Sequence, residues 1–366
     1  MYVESIELSD YRNYKTLNID FDSSTNILYG DNAQGKTNVL ESIYVCGTAK
    51  SHRGSKDKEI IRFNCDESHI KMFIRKDGIS QRIDMHLKKS KSKGIAVNGV
   101  PIRKVSELLG LINIIFFSPE DLNIIKNGPS ERRKFIDLEL CQLDKIYLHN
   151  LMKYNKVLEQ RNKLLKEIHF KNDSFLADTL DVWDMQLTEY GIKIIKTREE
   201  FINNINEIIY KIHKNLSGGK EELTILYEPN ILKDDFLEKL KNNREKDISI
   251  KSTSIGPHRD DMGFYIKGID VRKYGSQGQQ RTCALSLKMA EIEIVKDLIK
   301  DVPVLLLDDV MSELDSNRQN HLLDSLNGIQ TIITCTGLDE FIESRINAKR
   351  IYKVESGKCE KCEKKI

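Results

Sequence analysis

The run Gly30-Asp31-Asn32-Ala33-Gln34-Gly35-Lys36-Thr37 constrains this chain more than any other stretch, because it requires a strand before it and a helix after it. Two glycines let the backbone curl so that successive N–H groups face one point, and Lys36 adds a mobile positive charge. That cradle suits phosphate, and Thr37 offers a hydroxyl to magnesium. The flanks agree: Asn26-Ile27-Leu28-Tyr29 reads as a short strand. Lys36 to Cys46 reads as a helix whose positive N-terminal end faces the same point, with Gly47 as its stop. The pattern implies a nucleoside triphosphate with Mg2+.

Far along the chain, Val302-Pro303-Val304-Leu305-Leu306-Leu307 is apolar apart from one proline and ends in Asp308-Asp309. Such a run suits a parallel strand covered on both faces, with an acid at the end where open α/β sheets bind ligands. Asp308 is the expected magnesium partner. Its distance from Lys36 means that a large insertion separates two halves of one nucleotide site. Before this strand, Tyr274-Gly275-Ser276-Gln277-Gly278-Gln279-Gln280-Arg281-Thr282 leads into a helical stretch from Cys283 to Lys300. A turn of small residues and amides ahead of a helix offers a hydroxyl, N–H groups and a helix dipole to an anion. After the acids come Ser312-Glu313-Leu314-Asp315 and a strand, Thr331 to Thr336.

With Asp10-Tyr11-Arg12-Asn13-Tyr14, Lys50-Ser51-His52-Arg53, Phe117-Ser118-Pro119-Glu120-Asp121-Leu122 and Gly256-Pro257-His258-Arg259-Asp260-Asp261, these motifs resemble, in order and over nearly the full length, the RecF family of bacterial recombinational repair. That family lies in the ABC/SMC ATPase superfamily. The resemblance implies an α/β fold: an ABC/SMC-type P-loop head with a mixed sheet plus an inserted, mainly helical domain. It implies ATP and Mg2+ as ligands, and an ATP-dependent homodimer in which each triphosphate is closed by the partner's signature segment. Ser276, Gly278 and Gln279 match that segment. Asn38 joins the loop residues in the nucleotide set, with Arg12 and Arg53 as further nucleotide contacts. Arg12 is equally readable as a surface ion pair. The implied work is binding of gapped or junction DNA and loading of RecA with RecR and RecO.

Some positions depart from the wider superfamily while agreeing with RecF. Gln277 replaces a signature glycine. Asp309 stands where transporters carry a glutamate base, and an aspartate is one methylene shorter. Thr336 lies where many relatives place a γ-phosphate-sensing histidine. A weak ATPase with slow turnover, using Lys36, Asp308 and Asp309, is the expectation. Its alternatives are a soluble P-loop enzyme such as a small-molecule kinase, and a structural chromosome clamp. No H-E-x-x-H, G-x-S-x-G or zinc cluster supports the first.

With 366 residues, 39% of them hydrophobic, the chain can bury a sizeable core. No apolar run reaches the roughly 18 to 20 residues that span a bilayer, and the N-terminus lacks a basic-then-apolar leader, so the cytoplasm and nucleoid are expected. Seven cysteines suit reduced thiols, and Cys359 and Cys362 fall as a single C-x-x-C in a lysine-rich tail, read as frayed with metal or redox use as the alternative.

Net charge is only +2, from 58 basic and 56 acidic residues. Locally, Lys88, Lys89, Lys91 and Lys93 form a candidate DNA-backbone contact, or a solvated hairpin. Around them Ile70, Met72 and Ile74, then Ile83, Met85 and Leu87, alternate with period two, with turns at Asp77-Gly78 and Asn98-Gly99. Further on, a stripe through Tyr147, Leu151, Tyr154, Leu158, Leu165 and Ile168, interrupted by Arg161, precedes a second from Leu176 to Ile212. Two antiparallel helices, broken near Lys171 to Ser174 with Asp173 or Ser174 as a cap and ended at Ser217-Gly218-Gly219, fit these stripes. The expected division is 1–118 head, 119–250 helical insertion, and 251–366 signature segment, acid strand and remaining head.

Overall fold

The computed structural model describes residues 1–171, 178–337 and 348–362, without the side chains of Lys171 and Glu313. The expected cap at Asp173 or Ser174 and the start of the second stripe at Leu176 lie outside the described residues. Packing divides the chain into two compact units, Met1–Asp121 with Glu291–Ile366, and Leu122–Ala290. Residues 251–290, including the signature segment, thus group with the insertion.

The first unit holds two sheets. One is antiparallel, six strands in which Tyr2–Tyr11 lies between Tyr14–Asp20 and Glu67–Lys76, followed by Ile79–Lys88, Gly94–Val97 and Val100–Ile102. Period-two alternation sets its register: Ile70 faces Met85 and Met72 faces Ile83, all buried, and the turns fall at Asp77-Gly78 and Asn98-Gly99. The other sheet is mixed. Thr25–Tyr29 lies between Arg350–Glu355 and Thr331–Cys335, then Val304–Asp308 and Ile114–Phe117, with Lys358–Lys361 antiparallel at the edge. Thr25–Tyr29, Thr331–Cys335 and Val304–Asp308 run parallel, and the last two are buried at every position. For Val304–Asp308 this agrees with the apolar run that precedes the acid, while Thr331–Cys335 is buried although it carries two threonines.

Helix Lys36–Thr48 packs against strands of both sheets and is almost wholly buried. It runs through Gly47, which therefore is not a stop. A Cβ there would sit 2.4 Å from Ile114 Cδ1, so glycine serves close helix–strand packing, and Ala49 ends the helix in a left-handed conformation. The tail is not frayed where it is described: Lys358–Lys361 pairs with Arg350–Glu355, and burial pushes the Cys359 thiol up to about 12.

In the second unit, helices Lys145–Lys171 and Leu180–Leu216 run antiparallel. Tyr147 meets Arg198 near one end of the pair, and Arg161 meets Asp184 nearer the other. Val157 and Arg161 occupy core positions that the apolar stripe assigned elsewhere. Arg161 is no interruption: it is fully buried, with Asp184 and Asp247 as its ion partners. The sheet of this unit is three-stranded, Leu223–Glu228, Asp261–Ile266 and Ile269–Asp270.

Candidate nucleotide site

The parallel strands set the geometry. In register, Asp308 pairs with Thr334 and Thr334 with Leu28, so the ends of three strands converge beside the loop after Tyr29. Loops at such carboxyl ends are where open α/β sheets bind ligands. Thr37 Oγ1 donates to Asp308 Oδ1 at 2.8 Å, joining residues 271 apart in sequence. Thr334 Oγ1 donates to the same oxygen at 2.8 Å and accepts the Asp309 N–H at 3.0 Å. Thr334 thus holds the Asp308 carboxylate and the Asp309 backbone, a role that no local sequence pattern reveals. Its signal in the sequence is a hydroxyl near the C-terminal end of a mostly apolar strand.

The loop itself is backbone-shaped. Gly30 has φ +151°, and a Cβ there would lie 2.2 Å from the Val354 carbonyl oxygen; Gly35 has φ +112°, with Asn13 Nδ2 2.4 Å from a Cβ position. Neither position tolerates a side chain. Ala33 also lies at positive φ. Asn13 Nδ2 donates to the Gln34 carbonyl, Tyr14 OH to the Gly35 carbonyl at 3.1 Å, and Asn38 Nδ2 to Asn13 Oδ1 at 2.9 Å. From the tail, the Ser356 N–H donates to Gln34 Oε1 at 2.6 Å. Lys36 is buried, its Nζ donating to the Gly30 and Asp31 carbonyls at 2.6 and 2.8 Å. Asp31 and Asn32 stand exposed on the loop. The glycine-shaped cradle, Lys36 at its mouth and the hydroxyl–carboxylate pair fit a magnesium nucleotide: Thr37 and Asp308 offer oxygen to the ion, and the loop N–H groups and Lys36 offer positive charge to phosphate.

Arg12 and Arg53 differ in freedom. Arg12 grips the buried Glu41, Nε to Oε2 at 2.8 Å and Nη2 to Oε1 at 2.7 Å, and also donates to Ser55 and to the Glu59 carbonyl. Burial alone would push Glu41 up, but hydrogen bonds from Arg12 and Ser51 and the Arg12 charge hold it below the usual carboxylate range. Arg12 is thus ion-paired to Glu41 of the helix that bears Lys36. Arg53 is exposed, with Nη1 3.4 Å from Asn38 Oδ1. His52 stacks on Phe116 at 3.9 Å, and burial pulls it down to about 4.

Ser276, Gly278 and Gln279 lie in the second unit, at the start of a helix that begins at Gln277 rather than Cys283. Ser276 Oγ accepts the Gln279 N–H at 3.2 Å while Gln279 Oε1 accepts the Ser276 N–H at 2.9 Å, a reciprocal capping box. Gly278 differs from the loop glycines. The nearest atom to a Cβ there, Ser276 Oγ, is 3.9 Å away, so packing among the described residues does not require a glycine. His258, Arg259 and Asp260 are mostly engaged locally: His258 Nδ1 lies 2.7 Å from Tyr154 OH, and Asp260 pairs with Arg198 at 3.0 Å.

The lysine loop is less basic in space than in sequence. Lys88 pairs with Glu67 at 3.2 Å, Lys89 with Asp66 at 3.6 Å and Lys93 with Asp57 at 2.9 Å, acids supplied by segments before the hairpin. Lys91 is exposed.

Comparison with known proteins decides the family. The family model described as the RecF/RecN/SMC N terminal domain matches residues 2–360. The DNA replication and repair protein RecF of Lachnoclostridium phytofermentans is 62% identical over 361 residues, covering 99% of this chain and 100% of that protein. The chain belongs to the RecF family. The RecF protein of Lachnospira eligens is 64% identical over 357 residues, 98% of each chain. Among solved structures, the recombination mediator protein RecF-ATPrS in the RecFOR pathway superposes with a TM-score of 0.89 at 38% identity, covering 99% of this chain and 98% of that one. An Smc head domain from Pyrococcus furiosus, with an extended coiled coil, shares the fold at a TM-score of 0.56 and 18% identity, over 99% and 96% of the two chains. The architecture is accordingly that of an ABC/SMC-type ATPase head, as expected of a RecF protein. Among the described residues no helix is long and apolar enough to cross a membrane.

Proposed function

We propose that this chain is an ATP-dependent DNA-binding protein of recombinational repair, closing as a homodimer when ATP is bound. The observation that carries the reading is the 2.8 Å bond between the Thr37 hydroxyl and the Asp308 carboxylate, two oxygen donors brought from opposite ends of the chain to a phosphate-shaped loop. Solved RecF structures with ATP and ATPrS support ATP as the nucleotide. The set that would hold it runs from Gly30 through Asn38, with Arg53 at the rim.

Magnesium, when bound to Thr37 and Asp308, would neutralise charge developing on the phosphates. Lys36 turns from the Gly30 and Asp31 carbonyls toward phosphate, and Asp309, its backbone held by Thr334, positions the attacking water. Asp309 is short for that task, so turnover is slow. Ser276 and Gly278, presented at a capped helix start where nothing among the described residues needs a glycine, approach the γ-phosphate held by a second copy, which makes the triphosphate part of the interface. Gln279 holds that start in shape. Cleavage then weakens the dimer. DNA with gaps or junctions binds through Lys91 and its neighbours, and RecR, RecO and RecA act in the same pathway, as the RecFOR setting of the solved relatives suggests.

Sedimentation with and without ATP and a gapped duplex, using wild type and Ser276→Arg, tests this. Expected are an ATP-dependent dimer for wild type and a Ser276→Arg monomer that still binds ATP. A wild type that stays monomeric and off DNA in the presence of ATP defeats the proposal.

A further inference from the structure

On the paired strands Glu67–Lys76 and Ile79–Lys88, His69 and His86 stand directly opposite each other, their rings stacked with centroids 3.9 Å and planes 24° apart. Glu67 lies two residues before His69 and so on the same face of the sheet. Its Oε2 is 2.7 Å from His86 Nε2. One ligand atom from each of the three residues lies within 4.8 Å of the other two. None of the nucleotide chemistry uses them.

Two further observations favour a ligand. The face is open: Glu67 and His69 are exposed, and the residue opposite His86 on the next strand is Gly94, which puts no side chain over the imidazole. Partial burial, first, and the neighbouring His86 hold His69 below the usual imidazole range, and it is the neutral imidazole that ligates metal. The two imidazoles form an aromatic cross-strand pair that keeps their ring nitrogens side by side, and a cation bound by both would add to that pairing.

We propose that Glu67, His69 and His86 bind one divalent transition metal of the zinc class, through two imidazole nitrogens and one carboxylate oxygen. Imidazole donors select zinc, nickel or copper over magnesium and calcium, which prefer all-oxygen sets. Zinc–nitrogen bonds of about 2.0–2.1 Å place ligand atoms roughly 3.3 Å apart around the ion. Rotation of exposed side chains closes that gap from the observed spacing without moving the strands. Lys88 Nζ, 3.2 Å from Glu67, competes for the carboxylate and limits affinity. Metal binding would release Lys88 at the base of the Lys88–Lys93 loop and tie the two strands together there.

The test is a zinc titration of the full chain against a chromophoric chelator. It uses wild type, His69→Ala, His86→Ala, the pair Cys359→Ser/Cys362→Ser, and Asp308→Asn. One site is expected, weakened at least tenfold in either histidine variant and unchanged in the cysteine and aspartate variants. Zinc binding that survives both histidine changes, or that vanishes with the cysteines or Asp308, overturns the assignment, as does no binding by wild type. Electron paramagnetic resonance of the wild type loaded with one equivalent of Cu2+ reads the ligands without mutation. Superhyperfine structure from two imidazole nitrogens is the expected spectrum, and one nitrogen or none refutes it.

Discussion

Replacing Arg161 with methionine should destabilise the second unit by about 3 kcal/mol, toward the low end of the roughly 3–5 kcal/mol cost of breaking a buried ion pair. Arg161 Nε donates to Asp184 Oδ1 at 2.6 Å, and Nη1 to Asp247 Oδ2 and Thr253 Oγ1, each at 2.8 Å, with both acids fully buried. Methionine keeps the straight apolar stem and strands the carboxylates. Three features hold the cost down. Asp184 retains Arg244, whose Nε reaches Oδ2 at 2.7 Å, and Asp247 retains Ser254, whose hydroxyl donates at 2.6 Å. Arg161 Nη2 has no acceptor among the described residues, so the wild type already carries one unsatisfied buried nitrogen. Trp183, the chain's single tryptophan, is adjacent to Asp184 and reports on this unit by fluorescence. With a urea m-value of about 2–3 kcal/mol/M, the midpoint should fall by roughly 1–1.5 M. Adding Arg244→Met should cost more than the sum of the single changes, since Asp184 then loses its last cation. A shift below about 0.3 M for Arg161→Met, or strict additivity of the pair, would show that these charges are not stabilised as argued.

Gly35→Ala should abolish nucleotide binding, because the Cβ meets Asn13 and the hydroxyl of the buried Tyr14 at a position of positive φ; calorimetry with ATP reads it, and near-normal affinity contradicts the cradle. Thr334→Val removes the hydroxyl shared by Asp308 and Asp309, so single-turnover ATP hydrolysis should drop at least tenfold, and an unchanged rate would show that the hydroxyl does not matter. His52 and His258 are both lowered by burial to about 4, against about 6.5 unfolded. Because the unfolded chain takes up these protons first, their contribution to stability is complete above pH 6.5 and is lost as pH falls toward 4, by at most about 3 kcal/mol each. His52→Phe, which keeps the stack on Phe116, should flatten the fall in denaturation midpoint between pH 7.5 and 5; an unaltered slope rules out His52 as a source.

The parallel strands, the loop and the lysine-rich hairpin could be read from residues because each rests on local rules: an apolar run, two glycines, alternation with a turn. What escaped reading depended on neighbours distant in sequence. Gly47 looked like a helix stop, but it makes room for Ile114, which no local pattern reveals. Arg161 broke an apolar stripe on paper and is core in space, because Asp184 and Asp247 arrive from other helices. The lysines at 88, 89 and 93 looked unopposed within their own segment, while their acids sit in segments ahead of it. Thr334 acquires meaning only from strand order, which places it between Asp308 and the loop.

The bond from Ser356 to Gln34 spans 322 residues, and Val354 presses its carbonyl against Gly30. A chain growing at about 5–20 residues per second therefore spends on the order of tens of seconds with its phosphate loop made but unsupported. The middle strand of that sheet, Thr331–Cys335, is also translated late. A nascent chain on the ribosome can fold its N-terminal hairpins early, but it should not hold nucleotide until the last strands have emerged. If the chain pairs on ATP as proposed above, this delay would keep incomplete chains from pairing with finished ones.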